Sequence, residues 1–454
     1  MTRLWAEQAL LQDGWARDVA LTLNGDRIGA IETGVAARPG DRRLGALLPA
    51  PANLHSHAFQ RAMAGMTERR GPDASDSFWT WRQLMFRFLD QLTPEDVEAI
   101  AAFVQMEMLE AGYGSSVEFH YLHNAPGGTP YADPAEMSAR IVAGAARSGI
   151  GLTLLPVLYM QGGCDRRPLG PGQVRFGTTL DGYARLLEGA EKALAALPPD
   201  AVTGVAPHSL RAVTHEALAA AVSLRPDAPL HLHLAEQVAE VEEVLAAYGS
   251  RPVEWLLAHA EVGPRWCLIH ATQMLRAETL TLAATGAVAG LCPITESSLG
   301  DGIFDGVAWT AAGGRFGIGS DSNIRIGLTE ELRVLEHSQR LRDRGRAMLA
   351  TPSASTGRIL FEGAARGGAQ AAGRAAGAIA EGLLADLVAL DTDRLDLEGR
   401  RGDALLDAWI FAGDDRAVSD VWSAGRHLVT DGHHVAREAI VAAYRAVVRR
   451  LKAA

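Results

Sequence analysis

Residues 46–57 read Ala-Leu-Leu-Pro-Ala-Pro-Ala-Asn-Leu-His-Ser-His, an apolar run that ends in two histidines. Side chains at positions i and i+2 of a strand point to the same face, so His55 and His57 project together. A single histidine at a strand end is more often a core residue, but two on one face indicate a metal site. The stretch therefore predicts a buried β-strand with metal-binding side chains at its carboxyl end.

The same pattern recurs along the chain up to residue 322. Between the apolar runs lie stretches whose apolar residues have helical spacing, such as residues 94–112. The predicted strands are residues 46–55, 115–123, 150–159, 202–210, 228–236, 266–272, 286–293 and 315–322. Eight strand–helix repeats with nearly continuous apolar strands predict an α/β fold, the (β/α)8 or TIM barrel.

The two ends of the chain have a different pattern. Residues 1–47 alternate apolar and polar positions and contain an Asn-Gly-Asp turn at 24–26, which is typical of short strands. Short strands are also expected within residues 382–454, before a C-terminal helix. We therefore predict a small β-sandwich domain made of both ends, beside a metal-dependent hydrolase barrel of residues 48–381. The Ala/Gly-rich stretch at 362–381 is interpreted as a closely packed barrel helix rather than a low-complexity segment.

Composition excludes several classes of function. The net charge is −11 and no basic stripe is visible, so neither a nucleic-acid nor an anionic-membrane partner is expected. No apolar run reaches the roughly 18 residues of a membrane span, and no secretory signal is visible. No Gly-x-Gly-x-x-Gly follows a strand, which disfavours a nucleotide oxidoreductase. We expect a cytoplasmic protein, with a homodimer as the general expectation for its assembly.

Cysteine and lysine usage narrows the chemistry further. The three cysteines are far apart and form no Cys-x-x-Cys, which suggests a reducing compartment. The only lysines are Lys192, in a helix-like stretch, and Lys452, in the tail. A Schiff-base lysine, or a carbamylated lysine that bridges two metal ions, is therefore not expected at a strand end.

The fifth predicted strand carries a second group of polar residues. His231 and His233 share one face of the strand, and Glu236 follows where the chain leaves the sheet. We interpret His233 as a metal ligand and Glu236 as a proton shuttle. His231 lies deeper in the strand and is interpreted as a core or supporting residue.

His270 ends the sixth predicted strand, and Asp321 ends the eighth. A carboxylate in the position of Asp321 is either a ligand or a helix N-cap, and both alternatives remain open from spacing alone. Imidazole and carboxylate groups bind zinc well, and a catalytic site leaves one position for water. The pattern predicts one divalent metal ion, with Zn²⁺ favoured and iron or manganese as alternatives.

The order of these elements resembles the amidohydrolase superfamily, in its mononuclear deaminase branch. The resemblance rests on His-x-His, His-x-x-Glu, His and Ser-Asp elements, with β-rich ends, and covers essentially the whole chain. It implies one metal ion held by His55, His57, His233 and Asp321. It also implies that the reaction is served by Glu236, His270 and Asp321.

Within that branch, several segments are similar to the formimidoylglutamate deiminase family of histidine degradation. They are residues 51–65, 77–85, 118–124, 206–213, 231–237 and 291–304. The last segment, Leu-Cys-Pro-Ile-Thr-Glu, departs from the Cys-Pro-x-Ser-Asn of many nucleobase deaminases. The resemblance implies hydrolysis of N-formimino-L-glutamate to N-formyl-L-glutamate and ammonia. The alternatives are a deaminase or hydrolase acting on guanine, an adenosine derivative or a chloro-triazine, and a metal-binding barrel without catalysis.

A small acidic substrate derived from an amino acid needs cationic partners for its two carboxylates, preferably arginine forks. Arg211 follows His208 by three residues at the end of the fourth strand, so it is the first candidate. Arg82 is the second, although a solvated surface charge is an equal alternative. The resemblance points to Gln60, Tyr121 and His208 as further substrate contacts. The aromatic segment 78–88 forms either a lid or a helix packed on the barrel; its candidate lid residues are Phe78, Trp79 and Trp81.

Overall fold

A computed structural model of the protein describes residues 2–68 and 78–453, without the side chains of residues 78–80 and 453. The described chain begins with four strands of a sheet that lies outside the barrel. They are β1 (Thr2–Leu11), β2 (Gly14–Asn24), β3 (Arg27–Glu32) and β4 (Arg42–Pro49).

The barrel wall follows, and all of its paired strands run parallel. In the described residues the wall consists of β5 (Ala52–Ser56), β6 (Ser115–His120), β7 (Gly151–Leu158), β8 (Val202–Thr203), β9 (Ala206–Pro207), β10 (Leu230–Leu234), β11 (Trp266–His270), β12 (Val288–Leu291) and β13 (Arg315–Ile318). The short strands β8 and β9 together occupy the fourth position. Single bridges from Val205 to Leu230 and from Ser56 to Asp321 join the two parts of the wall. The predicted (β/α)8 barrel is therefore confirmed.

Helices alternate with the strands of the wall along the chain. They are α1 (Phe78–Leu89), α2 (Pro94–Glu110), α3 (Glu136–Ser148), α4 (Leu180–Leu194), α5 (His215–Leu224), α6 (Val238–Tyr248), α7 (Pro252–His259), α8 (Arg276–Ala283), α9 (Pro293–Leu299), α10 (Gly306–Ala311), α11 (Leu328–Asp343) and α12 (Thr356–Ala371). Short 3₁₀ helices lie at Ala58–Met63, Pro126–Gly128 and Asp415–Ala417. In the part of the chain that is described, no helix has the length and apolar character needed to cross a membrane.

The C-terminal part returns to the first sheet. It contains β14 (Leu387–Leu390), α13 (Asp403–Phe411), β15 (Val418–Ser423), β16 (Arg426–Thr430), β17 (His433–His434) and α14 (Arg437–Ala453). The strand order is β17-β16-β15-β14-β4-β1-β2-β3, so both ends of the chain build one sheet. Strands β1 and β2 share an apolar core with β14 and β15, as the predicted sandwich requires. The domain boundaries at residues 47/48 and 381/382 stay a prediction.

Two predicted strands are each divided in the structure. Residues 46–55 were expected to be one strand, but β4 ends at Pro49 in the terminal sheet and β5 starts at Ala52 in the barrel. Pro49 and Pro51 lack backbone N–H groups, so a continuous ladder is impossible there. The fourth barrel strand is interrupted at Gly204, where an added Cβ would lie 2.8 Å from the carbonyl oxygen of Pro229. Only a residue without a side chain permits this approach.

Residues 362–371 of the Ala/Gly-rich stretch lie in helix α12, which packs on the barrel as predicted, whereas residues 372–381 lie outside the helix. Helix α12 places Gly367 against β13, where an added Cβ would lie 1.8 Å from the carbonyl oxygen of Phe316. The helix backbone therefore lies directly on the strand. This close packing explains why the sequence is rich in small residues at this position.

Candidate active site

A pocket opens where the barrel strands end at their carboxyl sides, the position of active sites in this architecture. Almost all of the predicted site residues line it. Those in the lining are His57, Gln60, Arg82, Tyr121, His208, Arg211, His233, Glu236, His270 and Asp321. His55 lies below the pocket, fully buried, with its Nε2 atom 3.1 Å from Nε2 of His233. Residues more than 260 positions apart in the sequence thus meet in one place.

The floor of the pocket is a cluster of three imidazoles and one carboxylate. Ligand atoms of His55, His57, His233 and Asp321 all lie within 4.8 Å of one another, and all four residues are buried. Oδ1 of Asp321 is 3.0 Å from Nε2 of His57 and 3.4 Å from Nε2 of His55. Burial lowers the pKa of His55 to about 3, so its ring is neutral, the form in which imidazole binds metals.

In His57 and His233, the ring nitrogen that faces away from the cluster, Nδ1, is held by the main chain. Nδ1 of His57 donates to the carbonyl oxygen of Phe119 over 2.9 Å, and Nδ1 of His233 donates to that of His208 over 3.1 Å. Each ring therefore directs Nε2, with its lone pair, toward the cluster. Metal-binding histidines are held by the same arrangement. The four residues fit a divalent metal ion.

Several residues at the strand ends have left-handed backbone conformations. Their φ angles are 51° for Ala235, 69° for His270 and 46° for Asp321. Such angles are uncommon for residues other than glycine and cost free energy. They turn the chain abruptly after β10, β11 and β13, which directs Glu236, His270 and Asp321 to the pocket.

Glu236 and His270 lie at one wall of the pocket, above the cluster. Nε2 of His270 is 3.8 Å from Oε1 of Glu236 and 3.9 Å from Oδ2 of Asp321. Burial raises the pKa of Glu236. Burial alone would lower the pKa of His270, but the surrounding carboxylates of Glu236, Glu296 and Asp321 outweigh it and raise that pKa well above its ordinary value. These groups are placed to exchange protons with a bound molecule.

The remaining predicted residues form a polar wall. Arg82 donates to the hydroxyl oxygen of Tyr159 over 2.7 Å, and Gln60 donates to that of Tyr121 over 2.6 Å. Arg211 is 5% exposed although it carries a charge. Burial, and then the charges of Arg211 and Arg82, place the pKa of His208 well below its ordinary value. Two guanidinium groups therefore act on the same neutral imidazole.

Some pocket residues were missed from the sequence. Tyr159, Phe176, Met85 and Leu299 also line the pocket. Tyr159 could have been predicted to line the pocket, because it ends the third predicted strand. No sequence pattern distinguishes Leu299 and Phe176, since apolar residues in helices and loops usually belong to the hydrophobic core.

Glu240 is a further missed residue, and it supports the turn before Glu236. Its carboxylate accepts the backbone N–H groups of Ala235 and Glu236 over 3.2 and 2.9 Å. The side chain is almost completely buried. Glu240 lies four residues after Glu236, near the start of α6, and this spacing is the only feature of the sequence that could have indicated its role.

The structure also describes His231 and part of the aromatic segment 78–88. Nε2 of His231 donates to the carbonyl oxygen of Ala371 over 2.8 Å, and the residue is buried in the wall, which agrees with a core role. Residues 78–89 form helix α1, and Trp81 lines the pocket. The side chains of Phe78 and Trp79 lie outside the described residues, so the lid stays a prediction.

Known proteins are similar to this chain in sequence and in fold. Residues 46–428 match the family model described as the amidohydrolase family. The chain belongs to the amidohydrolase family. Residues 1–45 of this amidohydrolase match a second model, described as the N-terminal domain of formimidoylglutamate deiminase HutF. The two matches together cover the barrel and most of the terminal sheet.

Similar proteins span nearly the whole amidohydrolase chain. A formimidoylglutamate deiminase of Pseudomonas aeruginosa is 47% identical over 454 residues, covering 99% of this chain and all of that protein. An 8-oxoguanine deaminase of the same organism is 29% identical, covering 85% of this chain and 82% of its own. A crystal structure of an amidohydrolase from Brucella melitensis is 50% identical, with a TM-score of 0.95 over 99% of this chain and all of that one.

A more distant structure shows the shared fold alone. It is an adenosine deaminase from Xanthomonas campestris with bound zinc, 22% identical to this amidohydrolase. The TM-score is 0.83, and the match covers all of this chain and 99% of the other. The arrangement of barrel and terminal sheet is therefore retained at low sequence identity.

Proposed function

We propose that this amidohydrolase hydrolyses N-formimino-L-glutamate to N-formyl-L-glutamate and ammonia. The observation that carries the proposal is the placement of two guanidinium groups, Arg82 and Arg211, in the pocket that contains the imidazole–carboxylate cluster. A linear amidine with two carboxylates needs both parts: a centre that activates water and cations for the acid groups. The similarity to the formimidoylglutamate deiminase of P. aeruginosa supports the same substrate.

We propose that His55, His57, His233 and Asp321 hold one Zn²⁺ ion. Nitrogen and oxygen donors in this number suit zinc with an open position. The related adenosine deaminase from X. campestris is described with bound zinc, which supports the choice over iron or manganese. When bound, the metal supplies water that ionises at neutral pH.

The protein groups would then carry out the hydrolysis. The carboxylate of Asp321 accepts a proton from the attacking water and orients it toward the formimino carbon. His270 stabilises the charge that develops on the atoms attached to the formimino carbon as it becomes tetrahedral. The leaving nitrogen gains two protons, both from the water: the one that Asp321 accepted and the one that remains on the added oxygen. Glu236 transfers protons to this nitrogen. The carbon–nitrogen bond breaks, ammonia departs, and the carbon retains the oxygen of the water as a formyl group.

The polar wall would determine which amidine is accepted. Arg211 and Arg82 bind the two carboxylates of the glutamate moiety, because a guanidinium fork matches a carboxylate. Gln60, Tyr121 and His208 complete the contacts with the substrate. A flat heterocycle offers no carboxylate to these two guanidinium groups, so the wall favours the proposed substrate over guanine.

The test is an ammonia-release assay with four substrates in parallel: N-formimino-L-glutamate, formamidine, guanine and 8-oxoguanine. We expect rapid release from N-formimino-L-glutamate and much slower release from formamidine, which has the amidine without the carboxylates. A chelator-treated sample is the control for the metal. Release from guanine or 8-oxoguanine alone would overturn the proposed substrate.

We also propose a cytoplasmic location and a homodimer. Cys164, Cys267 and Cys292 are free and buried, which agrees with a reducing compartment. The homodimer stays a prediction from the general behaviour of soluble enzymes. Light scattering after size exclusion would test it, since a dimer has twice the 48.2 kDa mass of the chain.

A further inference from the structure

Glu296 contacts His270 on the side of the ring that faces away from the pocket. Its Oε1 atom lies 3.2 Å from Nδ1 of His270. The same oxygen accepts the backbone N–H of Cys292 over 2.8 Å, at the start of helix α9. Glu296 is 5% exposed and His270 is 1% exposed, so water competes little for this contact. One carboxylate oxygen is thus held by the main chain and also contacts the ring.

This contact determines which nitrogen of His270 is available to a bound molecule. An ionised carboxylate only accepts hydrogen bonds, so Nδ1 must carry the proton that it donates to Glu296. Nε2 is then directed to the pocket, where Glu236 and Asp321 are its neighbours at 3.8 and 3.9 Å. A ring held in this way cannot turn over without losing the bond to Glu296.

The residue at this position differs from the one in a motif of many nucleobase deaminases. Glu296 ends the segment Cys-Pro-Ile-Thr-Glu, where many nucleobase deaminases have Cys-Pro-x-Ser-Asn. Asparagine is one methylene shorter than glutamate and carries no charge. The chain therefore differs from those deaminases at the residue that touches His270.

We propose that Glu296 is a positioning residue that fixes the ring orientation of His270 by holding its Nδ1–H, so that Nε2 faces the reacting carbon. The inference rests on the proposed hydrolytic function, in which His270 acts on the substrate. Glu296 itself does not line the pocket, so its effect passes through the histidine. Histidines that act at metal centres are commonly oriented by a carboxylate on the other nitrogen.

A structural role in capping α9 is the competing explanation, and the chain provides a matched control for it. Glu331 is fully buried, and its Oε2 atom accepts the backbone N–H of Ile294 over 2.8 Å. It therefore supports the first turn of the same helix but has no hydrogen bond to His270 among the described contacts. Truncating either carboxylate removes one capping bond from α9.

The experiment compares Glu296→Ala, Glu296→Gln and Glu331→Ala with the wild type. For each protein, kcat and KM with N-formimino-L-glutamate, metal content and Tm are measured. We expect Glu296→Ala to lower kcat about 10- to 100-fold, with KM and metal content within twofold of wild type. Glu296→Gln should restore most of kcat, because its amide oxygen still accepts from Nδ1 and from Cys292. Glu331→Ala should lower Tm and leave kcat within twofold.

A second measurement does not depend on turnover. A buried imidazole proton that is bound to a carboxylate gives a far-downfield proton NMR signal. We expect this signal in the wild type and in Glu331→Ala, a less downfield signal in Glu296→Gln, whose amide oxygen is a neutral acceptor, and no signal in Glu296→Ala or His270→Asn. The positioning role is overturned if Glu296→Ala keeps the signal, or if it lowers kcat no more than Glu331→Ala does. Failure of the wild type to release ammonia while the signal follows this pattern would reject the proposed substrate and leave the orientation of His270 supported.

Discussion

The backbone N–H of His57 donates to the carbonyl oxygen of Asp321 over 2.9 Å, and the side chains of the same two residues meet at 3.0 Å. The N–H of Asp321 donates in turn to the carbonyl oxygen of His55 over 2.9 Å. Behind this pair, Asn53 donates to Oγ of Ser320 over 2.7 Å. The first and last strands of the barrel are thus joined by main-chain pairing at the point where the cluster forms, so its geometry depends little on flexible side chains.

His233→Asn should remove a metal ligand, whereas His231→Asn should not. The two histidines lie on the same strand, but only His233 reaches the cluster. We expect His233→Asn to lose bound metal and to lower kcat by more than the roughly 10- to 100-fold typical of losing an outer-shell partner. His231→Asn should keep the metal and lower Tm, because the bond to Ala371 is weakened. Metal analysis and ammonia release measure both. Equal metal loss in the two variants would contradict the assignment.

Glu236→Gln should retain the metal and lose turnover. The amide keeps the shape of the side chain but cannot transfer a proton. We expect kcat to fall about 10²- to 10⁴-fold, the usual contribution of a general acid or base, with KM within twofold. Glu242→Gln, at an exposed position of α6, is the control and should behave as wild type. Near-normal turnover of a metal-loaded Glu236→Gln would show that another group moves the proton.

Arg211→Ala should weaken binding of the acidic substrate. A hydrogen bond to a charged group contributes about 1.5–3 kcal/mol, which corresponds to about a 10- to 150-fold fall in kcat/KM. Arg211→Lys should be intermediate, since it keeps the charge but loses the fork. Turnover of formamidine, which has no carboxylate, should be unchanged in both variants. A similar loss with both substrates would indicate a role other than carboxylate binding.

The sequence predicts the barrel and the cluster well because both depend on local patterns. His55, His57, His233, His270 and Asp321 each stand at the end of an apolar run, and parallel strands bring such ends together. The division of residues 46–55 between two sheets is not local: Ala50 donates to Asp386, far along the chain. The contact between Glu296 and His270 also joins residues far apart, 26 positions, so the local sequence around either residue does not predict it.

Asp200 should make the stability of the protein sensitive to acid. It is paired with the buried Arg374 at 3.0 Å and with Arg426 at 2.8 Å. Burial raises the pKa of Asp200, but the bonds to Arg426 and the charge of Arg374 outweigh it and hold that pKa below the ordinary 3.8. Because the pKa of Asp200 is lower in the folded state, the ionised carboxylate stabilises the fold at pH values above 3.8. This stabilisation is lost as the pH falls from 3.8 through the lower pKa of the folded state.

Asp200→Asn tests this dependence. Breaking a buried ion pair costs about 3–5 kcal/mol, so a clear fall in the free energy of unfolding is expected at pH 7. The difference between the variant and the wild type should shrink as the pH is lowered below 4. Urea unfolding at several pH values measures it. A difference that is constant with pH would show that the charge of Asp200 contributes nothing.

Gly367→Ala should destabilise the packing of α12 on β13. The added methyl group would overlap the carbonyl oxygen of Phe316, so helix and strand must separate. We expect a loss of about 1–3 kcal/mol in the free energy of unfolding. Gly263→Ala is the control, because its Cβ would have no atom within 4 Å. Equal stability of the two variants would show that the helix shifts without cost.

The pairing of the end of β5 with Asp321, just beyond β13, has a consequence for how the protein is made. His55 and His57 are synthesised first, and the carboxylate that completes their cluster is added only after nearly all of the barrel. A growing or truncated chain therefore contains two or three imidazoles without their anionic partner and without the main-chain bonds that hold them in register. The cluster proposed to hold the metal ion is therefore complete only in the closed barrel.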